Sequence, residues 1–319
     1  MSSQPPPPAP PEGLIVDLVT PLTEAGRLDG TGLNRLVAKV TPVANGILAG
    51  SPGVGEALDL PLQTRRELLS QLLPAVAGRV PLFFGITGHS PEETQELAEA
   101  VKEECRRQNY SGPVYLADLP LWYHSNRGLP QAYKRLLNDI PLPLIILNQP
   151  EVIRRRAPLF KHRNIRTQVV KKLTLVPGIV GLSYQGEMRR FLNYHYAAVN
   201  RPGFAFYEAD DVNFLTRPGA WGVWSASAQL LPGAWQRVTR ACLHPEEVAE
   251  DQERRRELWE LSQRLLEIAK LCQLRPTALL KTALLAQGVL STAATASGAP
   301  APPPSLKQEL LALVIPLTD

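Results

Sequence analysis

Val80-Pro-Leu-Phe-Phe-Gly-Ile86, the stretch Ser90 to Arg107, and Val114-Tyr-Leu-Ala-Asp-Leu119 read together as strand, helix, strand. The two outer runs are short, apolar and rich in β-branched or aromatic residues, as expected of strands buried on both faces. Between them, Pro91 stands at a first-turn position and Glu92 and Glu93 lie at the positive end of the helix dipole. Leu97, Val101 and Cys105 form an i, i+4, i+8 apolar stripe on the same helix. A helix crossing between two such runs makes the strands parallel.

The unit recurs in both directions. Further strand runs are Leu14 to Val19, Gly46 to Gly50, Leu144 to Asn148, Ile179 to Ser183, Phe204 to Glu208 and Gly222 to Ser225. Eight strands with crossover helices in about 220 residues favour a closed (β/α)8 TIM barrel over an open sheet. The expected layout is a barrel over 13–240 and a C-terminal helical appendage over 241–319. In the appendage, Leu258, Leu261, Leu265, Ile268 and Leu271 recur at helical spacing. Residues 292–305, small side chains and prolines, read as a flexible linker. Residues 1–12 hold six prolines and little to bury, and read as a disordered tail.

Composition narrows the function classes. The 319 residues are 44% apolar, enough for a large core. A net charge of +4, from 34 basic and 30 acidic residues, is weak evidence for a polyanion partner. No nucleic-acid motif accompanies it. Cys105, Cys242 and Cys272 are odd in number and widely spaced, which points away from a disulfide framework or zinc and toward a reducing cytoplasm. No signal peptide and no apolar run of membrane-spanning length is visible. The expectation is a cytoplasmic protein without a membrane or nucleic-acid partner.

Several short segments carry a resemblance. Gly13-Leu-Ile-Val-Asp-Leu-Val-Thr-Pro-Leu22 with Leu28 to Leu33, Ala77-Gly-Arg-Val-Pro-Leu82, Leu147-Asn-Gln-Pro150, Gly178-Ile-Val-Gly-Leu182, Ala209-Asp-Asp211 and Leu313-Val-Ile-Pro-Leu317 keep one order and spacing. In that order they resemble the dihydrodipicolinate synthase and N-acetylneuraminate lyase family. The resemblance implies a (β/α)8 barrel with a helical tail, assembled as a homodimer or homotetramer and acting on pyruvate or another 2-keto acid. It also implies an imine-forming lysine on strand six, a proton-relay tyrosine on strand five, and a Gly-Thr-Thr-Gly-Glu loop that holds the keto acid's carboxylate.

The chain departs from that pattern. The lysine position reads Ser183, the tyrosine position Leu147, and the loop Gly50-Ser-Pro-Gly-Val-Gly-Glu56, two residues longer and with one amide donor removed by proline. A hydroxyl cannot condense with a keto acid to a Schiff base. The remaining lysines fall in helical or linker patterns, Lys161 in a basic connecting segment and Lys281 in the C-terminal helices, and none lies on a strand. Class I aldolase chemistry is therefore expected to be lost, with Ser183 and Leu147 not catalytic and no cofactor or metal called for.

Ligand-pocket candidates are Asp17, Ser51, Glu56, Tyr123, His124, Asn148, Arg154, Ser183, Glu208, Asp210 and Ser225. Three uses remain open for the acidic set Asp17, Glu208, Asp210 and Asp211: satisfaction by neighbouring donors, a polar ligand, or a divalent cation held by oxygen ligands. Tyr123 resembles a tyrosine that the family passes between subunits, or else is a core or interface aromatic. His124 and His89 follow strand ends, where a general base would sit. Arg154 is nearest to a family arginine that grips a substrate carboxylate, although its basic run also reads as a solvated face. The implied ligand is a small carboxylate, a keto acid or sugar acid, or a polyhydroxylated compound. The alternative is a divergent carbon–carbon lyase working without an imine.

Overall fold

A computed structural model describes residues 8–156, 162–217, 219–274 and 276–317. The first half of the barrel runs β1 (Gly13–Asp17), α1 (Gly30–Val40), β2 (Gly46–Ala49), α2 (Leu62–Val76), β3 (Leu82–Gly85), α3 (Pro91–Arg107), β4 (Val114–Asp118) and α4 (Leu129–Asp139). The second half runs β5 (Leu144–Asn148), α5 (Pro150–Arg156), α6 (Thr167–Leu173), β6 (Ile179–Tyr184), α7 (Met188–Ala197), β7 (Ala205–Glu208), α8 (Asp211–Thr216), β8 (Gly222–Ser225) and α9 (Pro232–Leu243). Helices α10 (Gln252–Leu274), α11 (Pro276–Ala286) and α12 (Pro304–Val314) follow. The eight strands are parallel and close in sequence order, β8 pairing with β1 through Gly13 to Val16 against Gly222 to Ser225. The expected (β/α)8 barrel with C-terminal helices is what forms.

Local chemistry explains the elements. Every strand residue is buried, which is why the strands read as unbroken apolar runs instead of alternating ones. Ser90 caps α3, its hydroxyl accepting from the Glu93 amide at 3.2 Å, with Pro91 just inside. Gly222 faces the β1 backbone so closely that an added Cβ would lie 2.1 Å from the Gly13 carbonyl oxygen. Only a glycine lets those two strands meet there. Among the described residues no helix is long and apolar enough to cross a membrane.

Part of each segment expected to be loose is attached. Residues 1–7 of the tail lie outside the described residues, but 8–11 cross the N-terminal end of the barrel. There the Tyr115 hydroxyl donates to the Ala9 carbonyl at 2.9 Å, Tyr207 to Pro11 at 2.5 Å, and the Trp221 indole to Pro10 at 3.2 Å. Prolines suit this seat because they bring carbonyl acceptors and no N–H to satisfy. Removing residues 1–11 should cost about 1–3 kcal/mol, from three hydrogen bonds at roughly 0.5–1.5 kcal/mol each less the entropy regained. An unchanged urea midpoint after the deletion would count against this seat.

The 292–305 linker is likewise fastened over its first half. Thr292 donates to the Leu22 carbonyl at 2.8 Å, and the Ala296 amide donates to Glu56 at 2.8 Å. The Ala294 carbonyl accepts from Lys281 at 2.7 Å. Small side chains that suggest flexibility in composition here let the backbone approach the loops after β1 and β2.

Candidate functional site

Phe83 of β3 stacks on Tyr115 of β4, centroids 4.7 Å apart, and meets Trp224 of β8 at 5.1 Å. Since β3 and β8 are not neighbours, these rings meet inside the barrel. Tyr207 of β7 joins them, 5.5 Å from Trp224. Residues paired in parallel register share a face. Tyr207 pairs with Ser183 and Ser183 with Leu147, so both also face the axis. Ser183 is fully buried, and its hydroxyl has no hydrogen-bond partner among the described residues.

Two residues beyond that layer, Gln149, Gln185, Ala209 and Ala226 line a cavity of about 260 Å³ at the C-terminal end of the barrel, where Asp17 of β1 also opens. Its roof is the Pro52–Val54 loop with faces of α5, α10 and α11. A larger groove, about 740 Å³ between α9 and α10, is lined by exposed arginines and glutamates and lies away from the strand ends.

The mouth is acidic. Asp17 is pushed up to about 8 by burial, against a hydrogen bond from Ser51 and with repulsion from Asp211 adding to the rise. Burial likewise lifts Asp211 to about 6, while the Ser227 and Ser225 hydroxyls hold it down. Ser227 donates to Asp211 at 2.6 Å through Oγ and at 3.1 Å through its amide. Asp210 caps α8, accepting from the Asn213 amide at 3.0 Å and from Gln273 of α10 at 3.0 Å. The guanidinium at this mouth is that of Arg155, which donates to the Gln273 carbonyl at 2.9 Å.

Of the sequence-predicted residues, Asp17 and Asp210 line the cavity; the others do not. Ser183 sits one layer beneath it. Ser51 bonds Asp17 and accepts the Gly55 amide at 3.0 Å. Asn148 turns outward and fixes the segment after α5, bonding Asn164 at 2.9 Å and the Ile165 amide at 2.8 Å. Glu208 turns outward beside Met188, Phe191 and Arg217, where burial, then Asp210, raises it to about 8. Ser225 accepts the Ala228 amide at 3.0 Å. Tyr123 donates to Asp118 at 2.6 Å in a buried cluster with Tyr133 and Thr87. His124 contacts the Ser125 carbonyl, and Arg154 pairs with Glu151 on the surface, Nε at 2.9 Å. Lys161 lies outside the described residues.

Glu56 departs furthest from expectation. It bonds the fully buried Lys281, Nζ to Oε2 2.5 Å, so Lys281 is not on a solvated helix face. Among the described residues no three His, Cys, Asp or Glu side chains are placed to hold a metal. With Glu208 turned away, the four-carboxylate set does not assemble. The residues missed by sequence were Trp224, Gln149, Gln185, Arg155 and Gln273. The signal for the strand residues was present: each lies an even number of places from an inward residue of its own strand.

A family model for the Dihydrodipicolinate synthetase family matches residues 10–301. The chain belongs to this family. Curated relatives include the 4-hydroxy-tetrahydrodipicolinate synthase of Methylococcus capsulatus, 26% identical over 73% of this chain and 76% of that one. The enzyme of the same name from Thiobacillus denitrificans is 30% identical over 69% and 70%. Dihydrodipicolinate synthetase family structures superpose throughout. The dihydrodipicolinate synthase of Aquifex aeolicus has a TM-score of 0.78 at 21% identity, covering 96% of this chain and 97% of that one. YagE, an E. coli K12 prophage protein of the family solved in complex with pyruvate, has 0.78 at 20%, covering 96% and 98%. At those identities the structures speak for the fold alone.

Proposed function

We propose that this barrel has lost the imine chemistry associated with its family and binds a small carboxylate or polyhydroxylated ligand at its mouth, without class I aldolase turnover. The observation that carries this is Ser183. In the proposed register it stands for the imine lysine, beside Leu147 in place of the tyrosine, buried one layer below the cavity. A hydroxyl cannot supply the nitrogen of a Schiff base. Among the described residues no lysine lines the mouth cavity, and the buried Lys281 gives its ammonium to Glu56 and the Ala294 carbonyl. Three aspartates at the mouth favour hydroxyl-rich ligands, whose O–H groups donate to carboxylates.

Incubation with pyruvate and borohydride tests the reading. Intact-protein mass is expected to stay unchanged. A gain equal to a reduced pyruvyl imine would overturn it.

A further inference from the structure

We infer that the mouth cavity recognises a small molecule carrying a protonated amine and a hydroxyl, held by the carboxylates of Asp17, Asp210 and Asp211 and by the indole N–H of Trp224. This deepens the reading above and rests on it, because a barrel that formed imines there would bind a keto acid instead.

Two independent features of the cavity wall ask for a ligand that brings both a donor and an acceptor. Asp17 is only 8% exposed, yet its Oδ1 accepts no hydrogen bond among the described residues. Buried acceptors are costly to leave unmade, and a donor arriving from the cavity would satisfy this one. Trp224 is 3% exposed, lines the same cavity, and its indole nitrogen also has no partner there. The indole N–H can donate to a hydroxyl of the same ligand.

Charge points the same way. Asp210 and Asp211 each keep free lone pairs after bonding Asn213, Gln273, Gln185 and Ser227. Among the described residues, the lining sets one guanidinium, Arg155, already donating to Gln273, against three aspartates. Glu151, also on the lining, is held by Arg154, and burial pushes the Cys272 thiol up, which keeps it neutral. A neutral polyol would satisfy the orphaned acceptor and leave the acidic excess; an ammonium answers both. Of the two ligand classes proposed above this favours the hydroxyl-bearing one, since a carboxylate would face the oxygens of Asp210 and Asp211. A cation beside Asp17 would also draw its carboxyl down from about 8 into the ionised form at neutral pH.

Serinol, which is glycerol with its central hydroxyl replaced by a protonated amine, isolates the charge. Both are titrated into the full chain at neutral pH while the indole N–H signal of Trp224, assigned with Trp224→Phe, is followed by NMR. Serinol is expected to shift that signal saturably and to bind about tenfold or more tightly than glycerol. Asp17→Asn is expected to weaken serinol about tenfold and leave glycerol unchanged. Asp211→Asn serves in its place should Asp17→Asn fail to fold. Equal binding of the two probes, no shift with either, or serinol binding indifferent to the folded variant would overturn the inference. Borohydride trapping on the same sample separates the two failures: a pyruvate adduct removes the non-imine reading, whereas no adduct with no preference for serinol removes the amine alone.

Discussion

Lys281→Met is expected to lower folding stability by about 3–5 kcal/mol, the cost of leaving one partner of a buried ion pair alone. Glu56 and Lys281 are almost entirely removed from water, and burial acts against both charges, raising the carboxyl of one and lowering the amine of the other. With the ammonium gone, the Glu56 carboxylate keeps, among the described residues, only the Ala296 amide. Its backbone is also held at φ +55, in the left-handed region, which disfavours a side chain by about 1–2 kcal/mol. That position is tolerated because the pair fixes three pieces at once: the loop after β2, α11 and the 292–296 segment. The double variant Glu56→Gln/Lys281→Met should recover most of the loss, since neither charge then remains buried. Urea unfolding followed by circular dichroism measures all three proteins. A single-variant loss below about 1 kcal/mol, or a double variant no better than the single, would contradict the account. Because Pro52–Val54 and Leu280 wall the mouth on either side of this pair, the variant should also open the cavity to protease attack at the loop.

The barrel was legible because its signals are redundant. Eight apolar runs, separated by helices with caps such as Ser90 and Pro91, have one economical closure, and a boundary error of one or two residues does not change it. Residues 8–11 and 292–296 were less legible, for the opposite reason. A proline tail and an alanine-rich linker bury little side-chain surface, so composition says loose, yet their backbone carbonyls and amides meet Tyr115, Tyr207, Trp221, Lys281 and Glu56. Contacts made by the backbone leave little trace in side-chain identity.

The site was legible in part, and three of the misplaced candidates share one cause. Asn148, Glu208 and Ser225 were chosen because each ends a strand and is polar, but a pleated strand turns successive side chains to opposite faces. Leu147, Tyr207 and Trp224 point inward, so the polar residue after each must point at the helices, and Gln149, Ala209 and Ala226 return to the mouth. Arg155 and Gln273 could not be read in this way. They come from α5 and α10, far apart in sequence, and meet only because α10 packs across the barrel end. The Glu56 to Lys281 pair, 225 residues apart, is long-range in the same sense.

Ser183→Lys is the sharpest test of the barrel interior, and it is expected to destabilise the fold by more than about 3 kcal/mol. Position 183 has no exposed surface, and its register neighbours are Leu147 and Tyr207, neither able to accept a charge. The longer side chain must displace part of a packed layer that includes the Tyr207 and Trp224 rings, at about 1–3 kcal/mol for overpacking. The ammonium then loses several kcal/mol of hydration unless it sheds its proton. Leu147 beside it cannot relay protons, and position 183 does not line the cavity, so pyruvate should not reach the new amine. Borohydride trapping is expected to stay blank. A Ser183→Lys protein as stable as the parent and carrying a trapped pyruvyl adduct would show that the interior still holds the geometry for imine chemistry, and that one side chain alone had silenced it.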